Sequence, residues 1–214
     1  MSCLRKSVAL TRIENIVATA SLNQAIDLSS IVRAFPQTQY RPELFPGLVF
    51  RLKKPKTATL IFRTGRMVCT GAKSEKDSKR ALNKVVEELR NHGIPINNMP
   101  SIKIQNIVAS VILGRAVDLE NTASKLKRVM YEPEQFPGAI YRMEDPNVVF
   151  LIFSTGKFVC VGAKRESVVY EAVKKLQGIL EENQLILYPE RGSTSNFALS
   201  KSMGGGKAQD YGAF

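Results

Sequence analysis

The sequence predicts an α+β fold made of two pseudo-symmetric repeats, and three observations carry that reading. The stretch Leu60-Ile61-Phe62-Arg63-Thr64-Gly65-Arg66-Met67-Val68-Cys69-Thr70-Gly71-Ala72-Lys73 returns as Leu151-Ile152-Phe153-Ser154-Thr155-Gly156-Lys157-Phe158-Val159-Cys160-Val161-Gly162-Ala163-Lys164. Asn15 and Asn106 stand 91 residues apart, as do Cys69 and Cys160, so nothing is inserted between the copies. Two copies are too few for a solenoid and point to one body with a pseudo-twofold axis. Each copy also reads as several antiparallel strands and two helices. Finally, Val148-Val149-Phe150-Leu151-Ile152-Phe153 is apolar on both strand faces, whereas a strand with one wet face alternates apolar and polar residues. Two helices per copy cover one face of such a sheet and leave the other over. On the residues alone the favoured reading is helical cover on both sides or a sheet-to-sheet dimer; an uncovered apolar face would otherwise mark a binding surface.

In chain order, strand signal starts at Ile13 and runs through Asn15-Ile16-Val17-Ala18-Thr19. Asp27 is an expected N-cap for a short helix that Pro36 ends, and Asp118 is its counterpart before a longer helix reaching about Val129. The loop Tyr40-Arg41-Pro42-Glu43-Leu44-Phe45-Pro46-Gly47 recurs as Tyr131-Glu132-Pro133-Glu134-Gln135-Phe136-Pro137-Gly138. A strand over 48–52 and a turn at Lys53-Lys54-Pro55 lead into the repeated strand pair. There Gly65, Gly71, Gly156 and Gly162 serve turns and bulges. Ala81, Leu82, Val85, Val86 and Leu89 have helical spacing within 74–90, and the second copy's last helix spans about 166–182. The expected divisions are an N-terminal extension at 1–12, repeats at 13–97 and 98–188, and a Gly/Ser-rich, disordered tail at 189–214.

The net charge is +12, and it is uneven: residues 1–100 hold 17 Lys and Arg against 7 Asp and Glu, residues 101–214 hold 14 against 12. Such a balance attracts nucleic acid or an anionic surface. No stretch reaches the roughly 18 apolar residues of a membrane span, and no signal peptide is expected. Cys3, Cys69 and Cys160 are an odd set without metal-ligand spacing, which suits reduced thiols better than a disulfide framework. The sole histidine, His92, falls at a helix end, where it pairs with terminal carbonyls more often than it acts as a base. No triad, phosphate loop or metalloprotease motif is present, so no enzyme, metal or cofactor is expected.

Asn-Ile-Val-Ala-(Thr/Ser), Pro-Glu-x-Phe-Pro-Gly, Leu-Ile-Phe-x-Thr-Gly-(Arg/Lys) and Gly-Ala-Lys each occur twice. This set, covering about 13–187, resembles the TATA-box-binding protein family, and Phe45-Pro46-Gly47 with the short N-terminal extension resembles its archaeal branch. The resemblance implies a curved, saddle-shaped antiparallel sheet with helices on the convex face. Its bare concave face would bind the minor groove of A·T-rich promoter DNA; the family is itself a standard example of side-chain wedging there.

Carried over residue by residue, Phe45 with Phe62 and Phe136 with Phe153 would be wedge pairs entering base steps. Asn15, Val17, Leu60, Val68 and Thr70 would contact bases from the first copy, and Asn106, Val108, Leu151, Val159 and Val161 from the second. Arg51, Thr64, Arg66, Lys73, Arg142, Thr155, Lys157 and Lys164 would hold the DNA backbone, which fixes position and carries no sequence information. Glu132, Glu134 and Gln135 would dock a B-type initiation factor, and Lys76, Lys79, Arg80 and Lys84 form a further candidate partner surface.

One departure is that Val161 stands where the family has threonine, as at Thr70. The function implied is that of a general initiation factor that bends promoter DNA and recruits RNA polymerase. It would work without a membrane, in the cytoplasm on the nucleoid, or in a nucleus if eukaryotic. Free protein would be able to pair through its apolar sheet as a homodimer. The competing readings are a specialised paralogue or repressor, a module of a nucleic-acid enzyme, and a protein-only dimer.

Overall fold

The computed structural model describes residues 9–188; the expected tail at 189–214 and residues 1–8 of the expected extension lie outside the described residues. The first repeat comprises β1 (Leu10–Ser21), α1 (Leu28–Ala34), β2 (Gly47–Leu52), β3 (Thr57–Phe62), β4 (Arg66–Ala72) and α2 (Glu75–Asn91). The second comprises β5 (Ser101–Ile112), α3 (Leu119–Lys125), β6 (Val129–Met130), β7 (Gly138–Met143), β8 (Val148–Phe153), β9 (Lys157–Ala163) and α4 (Glu166–Glu182). All strands join one nine-stranded sheet in the order β2-β3-β4-β1-β5-β9-β8-β7-β6.

The long central strands β1 and β5 fuse the repeats. Asn15 pairs with Val108 and Val17 with Asn106, an exchange that puts the pseudo-twofold axis between these strands. Each ladder slips at matched places. β1 pairs Ile13 with Ala109 and then Asn15 with Val108, so Glu14 is an extra residue; farther on, Gln105 is the extra one on β5. Slips also fall at Thr70–Gly71 on β4 and at Gly162 on β9. Gly71 and Gly162 have φ of +99° and +102°, the region glycine enters without penalty.

Burial alternates along the strands, and its phase slips by one residue at the bulges of β1, β4 and β9. Ile16, Ala18, Ile61, Met67 and Cys69 in one repeat, and Ile107, Ala109, Ile152, Phe158 and Cys160 in the other, are fully or almost fully buried beneath the helices. α2 contributes Ala81, Leu82, Val85, Val86 and Leu89, and α4 contributes Val169, Ala172, Leu176 and Leu180. Each large aliphatic among them adds about 1.5–3 kcal/mol by burial. Their sheet neighbours of opposite phase are only part-buried, so the helices cover one face and leave the other open.

Asp27 caps α1 through Ser29 N–H and Ser30 N–H, and Asp118 caps α3 through Asn121 N–H. The expectation that the second helix runs to about Val129 is corrected: α3 ends at Lys125. Leu126 is already extended, Arg128 has φ of +65°, and Val129 and Met130 pair with Tyr141 and Ile140 as β6. Lys-Leu-Lys-Arg favours helix locally, but pairing along an open sheet edge outweighs a propensity of tenths of a kcal/mol per residue. β1 begins at Leu10, ahead of the point where strand patterning becomes legible.

The long helices start beside one another at the dyad. Glu75 N–H donates to the Glu166 carboxylate at 2.6 Å, and Glu166 N–H donates to the Glu75 carboxylate at 2.7 Å. Each helix N-terminus is thus capped by the other repeat. Arg165, the N-cap of α4, makes no side-chain capping bond, so Glu75 supplies what that position lacks.

Candidate nucleic-acid interface

The open face is a strip of side chains set by register. Val49, Leu60, Val68 and Thr19 form one cross-strand row, and Ile140, Leu151, Val159 and Ser110 form its counterpart. Val17 and Val108 lie at the centre beside the asparagines. All ten predicted base-contact residues therefore belong to one part-buried surface.

The asparagines are oriented by their neighbours. Asn15 Oδ1 accepts from Gly71 N–H at 2.7 Å and from the Thr70 hydroxyl at 3.1 Å; Asn106 Oδ1 accepts from Gly162 N–H at 2.8 Å. With each carbonyl oxygen tied to the bulge glycine, the NH₂ end is the part left to donate elsewhere.

At each end of the strip stand two phenylalanines. Phe45 and Phe62 have ring centroids 5.9 Å apart, and Phe136 and Phe153 5.8 Å, both edge-to-face. Identical turns hold the loop members: Phe45 N–H donates to Arg41 O and Phe136 N–H to Glu132 O. The glycine after each Phe-Pro makes the pairing possible. A Cβ on Gly47 would lie 2.5 Å from the Phe45 ring, and one on Gly138 would lie 2.8 Å from Phe136.

Arg51, Arg66, Lys73, Arg142, Lys157 and Lys164 are exposed around this strip, with Thr64 and Thr155 in the exposed β3–β4 and β8–β9 turns. Among the described residues, Lys73 is the one of these six cations in an ion pair, 3.6 Å from Glu14. Glu132, Glu134 and Gln135 are exposed on the turn that carries Phe136 and lie apart from the strip centre.

Sequence reading passed over two polar pairs that flank the asparagines. Glu14 accepts from the Ser110 hydroxyl at 2.6 Å, whereas its counterpart Gln105 donates to the Thr19 hydroxyl at 2.8 Å. The Ser110 hydroxyl, aided by Arg12 and Lys73, holds the Glu14 carboxyl below its ordinary value of 4.5. The 91-residue spacing was the signal that would have matched Glu14 to Gln105, since strand alternation hides a bulged residue.

Elsewhere the chemistry is structural. Cys69 and Cys160 are free and buried, and burial pushes the Cys160 thiol up to about 12. His92 shares its Nδ1 with Glu88 O at 2.9 Å and packs on Phe35. Among the described residues no cluster of His, Cys, Asp and Glu is able to hold a metal, and no helix is long and apolar enough to cross a membrane.

A family model described as transcription factor TFIID (or TATA-binding protein, TBP) matches residues 11–92 and 101–183. The chain is 55% identical over 174 residues to a TATA-box-binding protein of Pyrodictium occultum, covering 81% of this chain and 87% of that one. It is 53% identical over 181 residues to one of Pyrobaculum calidifontis, covering 85% and 90% respectively. The solved structure of Methanococcus jannaschii TBP superposes with a TM-score of 0.74 at 44% identity, covering 80% of this chain and 98% of that chain.

Proposed function

The chain belongs to the TATA-binding protein family of general transcription factors, which are not enzymes, and from that membership we propose that its open face reads promoter DNA. The family's saddle makes that face concave. The observation that carries the reading is a continuous part-buried apolar strip, bounded by two aromatic pairs and ringed by cations.

The minor groove of A·T-rich DNA presents the acceptors A N3 and T O2 and little else. A reader of it needs broad apolar area and few donors. Val17, Leu60, Val68, Val108, Leu151 and Val159 provide the area, and the amides of Asn15 and Asn106 provide donors near the dyad. Guanine adds an exocyclic amine that an apolar floor leaves unpaired, which is the basis of A·T preference. The rings of Phe45 with Phe62, and of Phe136 with Phe153, enter the end steps as rigid wedges, kink the duplex and offset part of the lost stacking. Arg51, Arg66, Lys73, Arg142, Lys157 and Lys164 neutralise phosphates and release counterions, with Thr64 and Thr155 donating to the same backbone.

Bent DNA then presents one composite surface to later factors. Glu132, Glu134 and Gln135, exposed beside the second wedge, offer acidic and amide groups to a B-type initiation factor that brings RNA polymerase. Without DNA, the same apolar face pairs with a second copy. The protein works where the promoter is, on the nucleoid.

The test is equilibrium binding to an A·T octamer and to its fully G·C version across a salt series. Preference for A·T with a log–log salt slope near −5, about −0.9 for each of six phosphates, is expected. Equal affinity for both sequences contradicts the reading.

A further inference from the structure

The two halves of the strip differ at their centres. In the first repeat Thr70 is the cross-strand partner of Ala58; in the second, Val161 is the partner of Val149. At equivalent positions of the second repeat, Thr70 is thus replaced by a valine of the same shape without the hydroxyl, and Ala58 by a bulkier valine.

The Thr70 hydroxyl is also committed. Asn15 Oδ1 already accepts from Gly71 N–H, and a carbonyl oxygen has no proton to give, so the 3.1 Å contact requires Thr70 to donate. A hydroxyl has one proton and two lone pairs. What Thr70 keeps for a ligand on the open face is therefore an acceptor, with the small Ala58 leaving room beside it. Val161 has neither, and Asn106 is held by the Gly162 bond without a threonine's help.

The donor that an acceptor in the minor groove matches is the exocyclic amine of guanine, the one feature that distinguishes a G·C pair there. We propose that the repeats are unequal readers: the Thr70/Ala58 centre accepts a G·C pair that the Val161/Val149 centre rejects. The protein then has a preferred direction on a site carrying one central G·C pair, with that pair under the first repeat. This rests on the minor-groove reading above.

The experiment uses the full chain and A·T octamers carrying no, one or two G·C pairs, placed singly on either side of the centre. Affinities are normalised to each protein's own all-A·T value, so a variant's general loss of binding cancels. The wild-type protein is expected to lose little at the first replacement, because it turns to put that pair under Thr70. At the second it loses roughly ten- to hundredfold, the range for one mismatched pair. Thr70→Val moves that loss to the first replacement, and Thr70→Ser, which restores the hydroxyl, moves it back. Val161→Thr combined with Val149→Ala removes most of the second loss. Equal losses at both steps in the wild type, with unchanged profiles in the variants, would overturn the proposal while leaving A·T preference intact. Equal binding to the all-A·T and fully G·C octamers would overturn the minor-groove reading beneath it.

Discussion

The first and second repeats share a backbone plan but not a chemistry, and the differences collect on the open face and its rim. Glu14 faces Gln105 across the dyad relation, Arg41 matches Glu132, and Leu44, 74% exposed, matches Gln135. At the sheet edges, β6 closes β7 in the second repeat, whereas β2 in the first has only the bridge between Gln39 and Val49. What is alike is what the sheet needs: the bulge glycines, the capping aspartates, the aromatic pairs and the crossed Glu75–Glu166 caps. A pseudo-symmetric scaffold thus fixes one shape while leaving each half free to choose its contacts.

The largest expected effect equalises the halves by removing their wedges. Phe62→Ala and Phe153→Ala each cost about 2 kcal/mol or more of DNA affinity, the scale of an aromatic anchor that is desolvated on binding. Both are read by titration of a labelled A·T duplex, and the double variant loses measurable bending by end-to-end energy transfer.

Next come the glycines beneath the wedges. Gly47→Ala is worse than Gly138→Ala, because its Cβ would sit 2.5 Å rather than 2.8 Å from the nearest ring carbon. Overpacking of this kind costs about 1–3 kcal/mol, divided between fold stability and wedge geometry. Equal behaviour of the two variants in melting and binding assays would mean that the rings move aside freely.

A smaller effect concerns the short helices. Asp27 lies below the ordinary aspartate value of 3.8 chiefly through the Ser30 hydroxyl, and Asp118 chiefly through Asn121 N–H. A depressed value in the folded state makes this stabilisation complete above 3.8 and lost as pH falls further. Asp27→Ala and Asp118→Ala should each lower Tm by about 2–4 °C at neutral pH, and this gap should close on acidification.

The smallest effect sharpens the central asymmetry. Glu14→Gln copies the second repeat's residue into the first, removes a negative charge from the open face and frees Lys73. DNA affinity should rise by about two- to threefold, the scale of an exposed charge pair, and Gln105→Glu should reverse the gain. Both shifts should shrink at high salt.

Much of this was legible in the chain. The 91-residue displacement gave two repeats, strands apolar on both faces called for cover on each side of the sheet, and the family resemblance, rather than the loop sequence itself, set the twin Phe-Pro-Gly loops at the ends of the strip. What stayed hidden depends on pairing across distance. The end of α3 is decided by β6 on a sheet edge, which Lys125-Leu126-Lys127-Arg128 does not announce. Glu14 and Gln105 escape strand alternation because each is an extra residue in a bulge. Gly47 looks like an ordinary turn glycine until the two rings above it are placed, and the crossed glutamates become caps only once the helices meet at the dyad.

The most direct test of the wedge-and-groove account is the fluorescence of 2-aminopurine placed at either end step of an A·T octamer. The account predicts that binding unstacks the probe at both ends and brightens it. Phe45→Ala with Phe62→Ala should abolish the rise at one end only, and Phe136→Ala with Phe153→Ala at the other. A probe that stays quenched at both ends while the wild-type protein is bound would contradict it.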